Sequence, residues 1–129
     1  MTGKIRVLLV EDNYMNKVLV REILTLNNYE IIDARSGLEA LKVIEVERPD
    51  VILMDMHLPE MDGITATRII KSNEDTRSIP ILAFTAAASE SDKEELLNKG
   101  FDGYIPKPVE FKNLLEMIST ALACKKSGA

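Results

Sequence analysis

Three acidic residues stand where apolar runs stop abruptly. The run IRVLLV (5–10) gives way to Glu11, Asp12 and Asn13, and VILM (51–54) ends in Asp55, after which a loop carrying Pro59 and Gly63 begins at once. A charge at the tip of a buried strand is costly unless something pairs with it. An Asp that caps a turn is the plainer reading of such a position. Two further apolar runs, PILAF (80–84) and GYIP (103–106), lead into Thr85 and Lys107. If these five residues meet, they define a particular chemistry. Three crowded carboxylates raise each other's pKa, and a divalent cation relieves them. Hard oxygen donors without Cys, and with the chain's single His unsupported by others, suit Mg²⁺, which takes one or two protein carboxylates and keeps several waters. Its open positions accept phosphoryl oxygens. Lys107 adds a compact positive charge and Thr85 a hydroxyl. A carboxylate can itself be the nucleophile, forming an acyl phosphate, and phosphoryl transfer needs mainly positioning and charge neutralisation. Taken singly, each residue has an ordinary explanation: a strand-end acid pair, a surface lysine, a strand threonine, and for Tyr104 a half-buried ring. Five residues of suitable type at four strand ends carry the reading together.

The elements that must position them alternate along the chain. Short runs rich in Val, Ile and Leu at 5–10, 51–54 and 80–84, with weaker ones at 30–34 and 103–106, suit strands buried on both faces of a parallel sheet. Helical patterns separate them. The first helix is predicted to start after an Asn13 N-cap, with a stripe of Met15, Leu19, Ile23 and Leu26. The second opens with a capping-box pattern, Ser36 to Glu39. The third starts near Asp62. The fourth carries another possible box, Ser91 to Glu94, and stops at Gly100. The last has a stripe of Phe111, Leu114, Leu115, Ile118, Ala121 and Leu122. Five β-α units imply an α/β, doubly wound, five-stranded parallel sheet of order 2-1-3-4-5 with five helices. In that flavodoxin-like arrangement ligands sit beyond the carboxyl ends of the strands, at the switch point between strands 1 and 3. Glu11, Asp12, Asp55, Thr85 and Lys107 would then face one crevice.

The 129 residues suit one domain, expected over 1–129 with a core of about 5–123 and a tail from 124. A net charge of −5, with no basic cluster to offset it, argues against a nucleic-acid or anionic-membrane surface. No apolar run approaches the roughly 20 residues needed to span a bilayer, and no cleavable signal is visible. The single Cys124 excludes an internal disulfide and reads as a packing residue. A cytoplasmic protein, monomeric or weakly dimeric, is expected.

The motifs LLVEDN (8–13), VILMDMHLPEMDG (51–63), ILAFTAAA (81–88) and GYIPKP (103–108) resemble, in order and spacing, a response-regulator receiver domain of two-component phosphorelays. The resemblance covers about residues 5 to 123. It implies that Asp55 is the phosphoacceptor and that Glu11 and Asp12 hold Mg²⁺ together with Asp55 and the backbone carbonyl of His57. Thr85 and Lys107 would contact the phosphoryl group, and Tyr104 would be the switch aromatic coupled to Thr85. His57 and Ala87 would occupy positions that tune dephosphorylation, and the Lys107–Pro108 bond would be cis. A sensor histidine kinase or histidine phosphotransfer protein would be the donor. A downstream protein would read the phosphoryl group on the face of the fourth helix, fifth strand and fifth helix. The implied protein is a signalling receiver rather than an enzyme, assisting only its own phosphorylation and dephosphorylation. After Leu122 only ACKKSGA remains, as expected of a free-standing receiver; a receiver excised from a hybrid kinase is the alternative. An Asp-nucleophile, metal-dependent phosphatase is a rival, but it lacks the second Asp two residues after Asp55. A flavodoxin-like cofactor module would need a phosphate-binding loop after strand 1, where this chain is acidic. A degenerate receiver that binds without phosphorylation fits poorly with every key residue present.

Overall fold

The computed structural model describes residues 4–56, 61, 63–85, 90–107 and 109–127. The order is β1 (Ile5–Val10), α1 (Tyr14–Leu26), β2 (Tyr29–Ala34), α2 (Gly37–Val46), β3 (Val51–Asp55), α3 (Gly63–Ser72), β4 (Ile81–Thr85), α4 (Glu90–Asn98), β5 (Gly103–Pro106) and α5 (Phe111–Ser127). The strands form one parallel sheet in the order β2-β1-β3-β4-β5, as the alternating pattern predicts. Continuous apolar runs become strands here because both faces of the sheet are covered. One face packs Leu8, Val10, Ile52, Met54, Ile81 and Ala83 against α2, α3 and α4. The other packs Val7, Leu9, Leu53 and Phe84 against α1 and α5. The register pairs Val10 with Met54, Asp55 with Phe84 and Thr85 with Pro106. The central strands therefore end level, and the residues just beyond their ends collect at one edge.

Local signals set the helix ends. Asn13 Oδ1 accepts from the Asn16 N–H at 3.0 Å, and Ser36 Oγ from the Glu39 N–H at 3.1 Å, each satisfying an orphan donor of a first turn. The Glu39 carboxylate reaches back to the Arg35 amide at 3.3 Å, one residue earlier than in a standard capping box. After α4, Phe101 N–H bonds Leu96 O and Gly100 N–H bonds Leu97 O, both at 3.2 Å. Gly100 has φ +105°. This pair of bonds is a Schellman stop at the predicted glycine. The opening of α4 differs from expectation: Ser91 lies inside the helix, which already includes Glu90. The strand of the run at 80–84 ends on Thr85 as expected but starts one residue later. Pro80 has no amide for the ladder, so the strand begins at Ile81. α3 begins at Gly63, next to the predicted start near Asp62; Asp62 itself and the side chain of Cys124 lie outside the described residues.

The stripe predicted for α1 is corrected. Its buried residues are Val20, Ile23 and Leu24, whereas Met15, Leu19 and Leu26 are exposed, Met15 by 72%. Two apolar rows on this helix satisfy helical spacing, and only packing against the sheet chooses between them. The unchosen row leaves Tyr14, Met15, Val18 and Leu19 on the surface. In α5 the predicted stripe holds for Leu114, Ile118 and Ala121, with Leu115 and Leu122 half-buried and Phe111 exposed.

Candidate functional site

Glu11 continues the pairing of β1 with β2, its N–H donating to Ala34 O at 3.1 Å. Its side chain is 1% exposed and turns into the sheet edge. The Asn13 N–H, one residue beyond Asp12, donates back to Glu11 Oε2 at 3.3 Å. Asp12 is exposed. Asp55, the last residue of β3, is buried. Lys107 comes directly after β5, and its N–H donates to Thr85 O at 3.0 Å, extending the β4–β5 ladder by one bond. This extension aims the lysine back across the strand ends. Its Nζ donates to Asp55 Oδ1 at 3.0 Å and lies 3.5 Å from Glu11 Oε1.

Carboxylate oxygens of Glu11, Asp12 and Asp55 lie within 4.8 Å of one another. Lys107 thus faces two buried acids, with the exposed Asp12 beside them. Burial is the main force raising the Glu11 carboxyl, to about 7; the hydrogen bond with Asp55 and the charge of Asp55 add to it, while Lys107 and the Asn13 amide oppose it. Glu11 Oε1 has no hydrogen-bond partner. A buried carboxylate oxygen that makes no hydrogen bond and has only a lysine 3.5 Å away, beside two more hard oxygen ligands, fits a Mg²⁺ ion. Glu11, Asp12 and Asp55 are the residues that would hold it.

Thr85 is buried at the end of β4, one residue beyond the rung that joins Phe84 to Asp55. Tyr104 stands opposite Ala83, half-buried against the core of the α3–α4 face. Strand alternation puts Thr85 and Ala83 on one face of β4, so Tyr104 and Thr85 share that face on neighbouring strands. His57, Ala87 and Pro108, on which the resemblance places a ligand carbonyl, rate tuning and a cis bond, lie outside the described residues. Two contributors are not legible in the residue types. Asn13 reads only as a helix cap, although its main-chain N–H also holds Glu11. Gly63 reads only as loop punctuation, although its α-carbon lies against the Asp55 carbonyl.

A family model described as response regulator receiver domain matches residues 7–119. The chain belongs to that family, whose members are signalling proteins of two-component systems that work with histidine kinases or phosphotransfer proteins and with downstream targets. The chain is 41% identical to the polar-differentiation response regulator DivK of Brucella ovis over 116 residues, covering 90% of this chain and 94% of that one. The receiver domain of the sensor histidine kinase PA1611 of Pseudomonas aeruginosa is 35% identical with a TM-score of 0.85, covering 94% of this chain and 99% of that one. That structure has a magnesium ion coordinated in its active-site cleft. The chemotaxis protein CheY4 of Vibrio cholerae has a TM-score of 0.86 at 29% identity, covering 93% and 100%. Among the described residues no helix is long and apolar enough to cross a membrane.

Proposed function

We propose that the chain, as one receiver domain over 1–129, accepts a phosphoryl group on Asp55 from a histidine kinase or histidine phosphotransfer protein. The observation that carries this reading is the buried Asp55 carboxylate held by Lys107 at 3.0 Å inside a cluster of three acids. An Asp55 oxygen attacks phosphorus as the phosphorus–nitrogen bond of the donor's phosphohistidine breaks, and the imidazole leaves with its electron pair. Mg²⁺ bound by Glu11, Asp12 and Asp55, with the His57 carbonyl as a further ligand, would supply charge neutralisation for the transferring oxygens. Lys107 keeps a positive charge on the phosphoryl group, and Thr85 offers its hydroxyl to another oxygen. The exposed apolar row of α1 begins two residues after Asp12 and borders the crevice, which suits a donor that approaches with an apolar surface of its own.

Output runs through α4, β5 and α5 to a downstream protein. Thr85 moves toward the phosphoryl oxygen, and Tyr104, on the same face of the next strand, fills the space it leaves. His57 and Ala87 set how long the acyl phosphate survives. Incubation with acetyl phosphate and Mg²⁺, then peptide mapping, tests the assignment: label on Asp55 that disappears with excess EDTA is expected, and label on another residue refutes it.

A further inference from the structure

We infer that Gly63 is a positioning residue for the phosphoacceptor, setting the main chain of Asp55 through direct backbone contact. Gly63 opens α3 and is buried. A Cβ on it would fall on the Asp55 carbonyl oxygen, closer than side-chain carbons approach such an atom, with the Asp55 carbonyl carbon at 3.2 Å and Met54 Cγ at 3.1 Å. The obstacle is backbone at the end of a central strand, so it cannot step aside as a flexible side chain does. The peptide unit involved is the one that matters most for the site. Its carbonyl belongs to Asp55, and its N–H, from Met56, bonds β3 to β4 just beyond the last β3 residue, at Phe84 O, 3.3 Å away. Pushing that carbonyl tilts the peptide and turns the Asp55 α-carbon. The carboxylate then leaves its place beside Lys107 Nζ, 3.0 Å away, and beside the other two acids.

Gly103 provides the comparison. A Cβ there would meet Leu82 Cδ2 and Met117 Cε, both at 2.9 Å. Those are mobile side-chain ends, and Gly103 pairs with Leu82, three residues short of the crevice. Crowding at Gly103 therefore strains packing without touching the Asp55 peptide.

The inference rests on Asp55 being the reacting carboxylate, and the experiment separates the two. Wild-type labelling by acetyl phosphate is scored first; its failure at Asp55 sinks the phosphoacceptor reading, while Mg²⁺ titration of the same proteins still decides the role of Gly63. Wild type, Gly63→Ala and Gly103→Ala are compared by Mg²⁺ titration, labelling rate and hydrogen exchange at the Met56 amide. All are measured in trimethylamine N-oxide, which favours the compact state. For Gly63→Ala the expectation is a native fold, Mg²⁺ binding weakened by about tenfold or more, a similar loss of labelling rate and faster exchange at Met56. Gly103→Ala should bind Mg²⁺ and label within about twofold of wild type, whatever its melting temperature, since sites without shared partners act independently. A folded Gly63→Ala that binds Mg²⁺ and labels like wild type overturns the inference. So does a parallel loss in Gly103→Ala. A Gly63→Ala chain that stays unfolded even in the osmolyte overturns it too, because the contact then serves the fold as a whole.

Discussion

Replacing Glu11 by glutamine should stabilise the metal-free protein near neutral and alkaline pH and much less in acid. The wild-type carboxyl is raised from an ordinary 4.5 to about 7 by burial first, and then by Asp55. A group whose pKa is higher folded than unfolded favours the fold fully below the unfolded value, and that contribution is lost as pH rises through the folded value. Here the loss spans the window from about 4.5 to about 7. Between pH 5 and pH 8 it amounts to about 2–3 kcal/mol, at about 1.4 kcal/mol for each unit separating the two values. Glutamine has nearly the same shape and does not ionise, so the variant escapes this loss. For 129 residues, 1 kcal/mol corresponds to roughly 4 °C in melting temperature, so the variant should gain roughly 8–12 °C relative to wild type on going from pH 5 to pH 8.

The assay is circular-dichroism melting of both proteins in metal-stripped buffer at pH 5 and at pH 8, repeated with millimolar Mg²⁺. A cation that binds the folded carboxylate form, as proposed for Mg²⁺, stabilises wild type by mass action, so Mg²⁺ should shrink the advantage of the variant at pH 8. A melting difference that is the same at both pH values would refute the account of a buried acid short of positive charge. So would a variant that gains as much from Mg²⁺ as wild type does.

Three further outcomes test other parts of the site. Asp55→Asn should abolish labelling by acetyl phosphate yet melt no lower than wild type without Mg²⁺, because it removes one of two buried like charges; a markedly lower melting temperature counts against the electrostatic picture. Lys107→Met should destabilise the metal-free protein at pH 8 by about 2 kcal/mol, since Glu11 and Asp55 lose the cation they share, with a smaller loss at pH 5; denaturant melts at both pH values check this. Tyr104→Ala should still label at Asp55, but a beryllofluoride titration monitored by NMR should no longer move resonances of α4, β5 and α5; full propagation in the variant removes Tyr104 from the switch.

The sequence carries strand positions more clearly than helix faces, and the reason is physical. A strand buried on both faces has one solution: every residue of VILM (51–54) must be apolar, and the run breaks at a buried acid, Asp55, which stands out for that reason. The chemistry at the strand ends can therefore be placed once the order of the sheet is inferred: Glu11, Asp12, Asp55 and Lys107 do meet, and Thr85 joins Lys107 through its main chain. A surface helix has more freedom. In α1 both apolar rows meet the periodicity, and the sheet took Val20, Ile23 and Leu24. What stayed wholly hidden was backbone geometry, because a main-chain contact leaves little trace in residue types. The Asn13 amide on Glu11 could have come from any residue but proline. Gly63 left only the absence of a side chain, a signal shared with every loop glycine. Yet these contacts bear on whether the carboxylates converge: residue types supply the acids, while the Gly63 contact and the Lys107–Thr85 bond bear on where the oxygens of Asp55 stand. An acid cluster grafted onto level strand ends without those main-chain contacts should hold Mg²⁺ poorly, because a cation that tolerates only near-ideal octahedral geometry reads the positions of its ligands as closely as their charge.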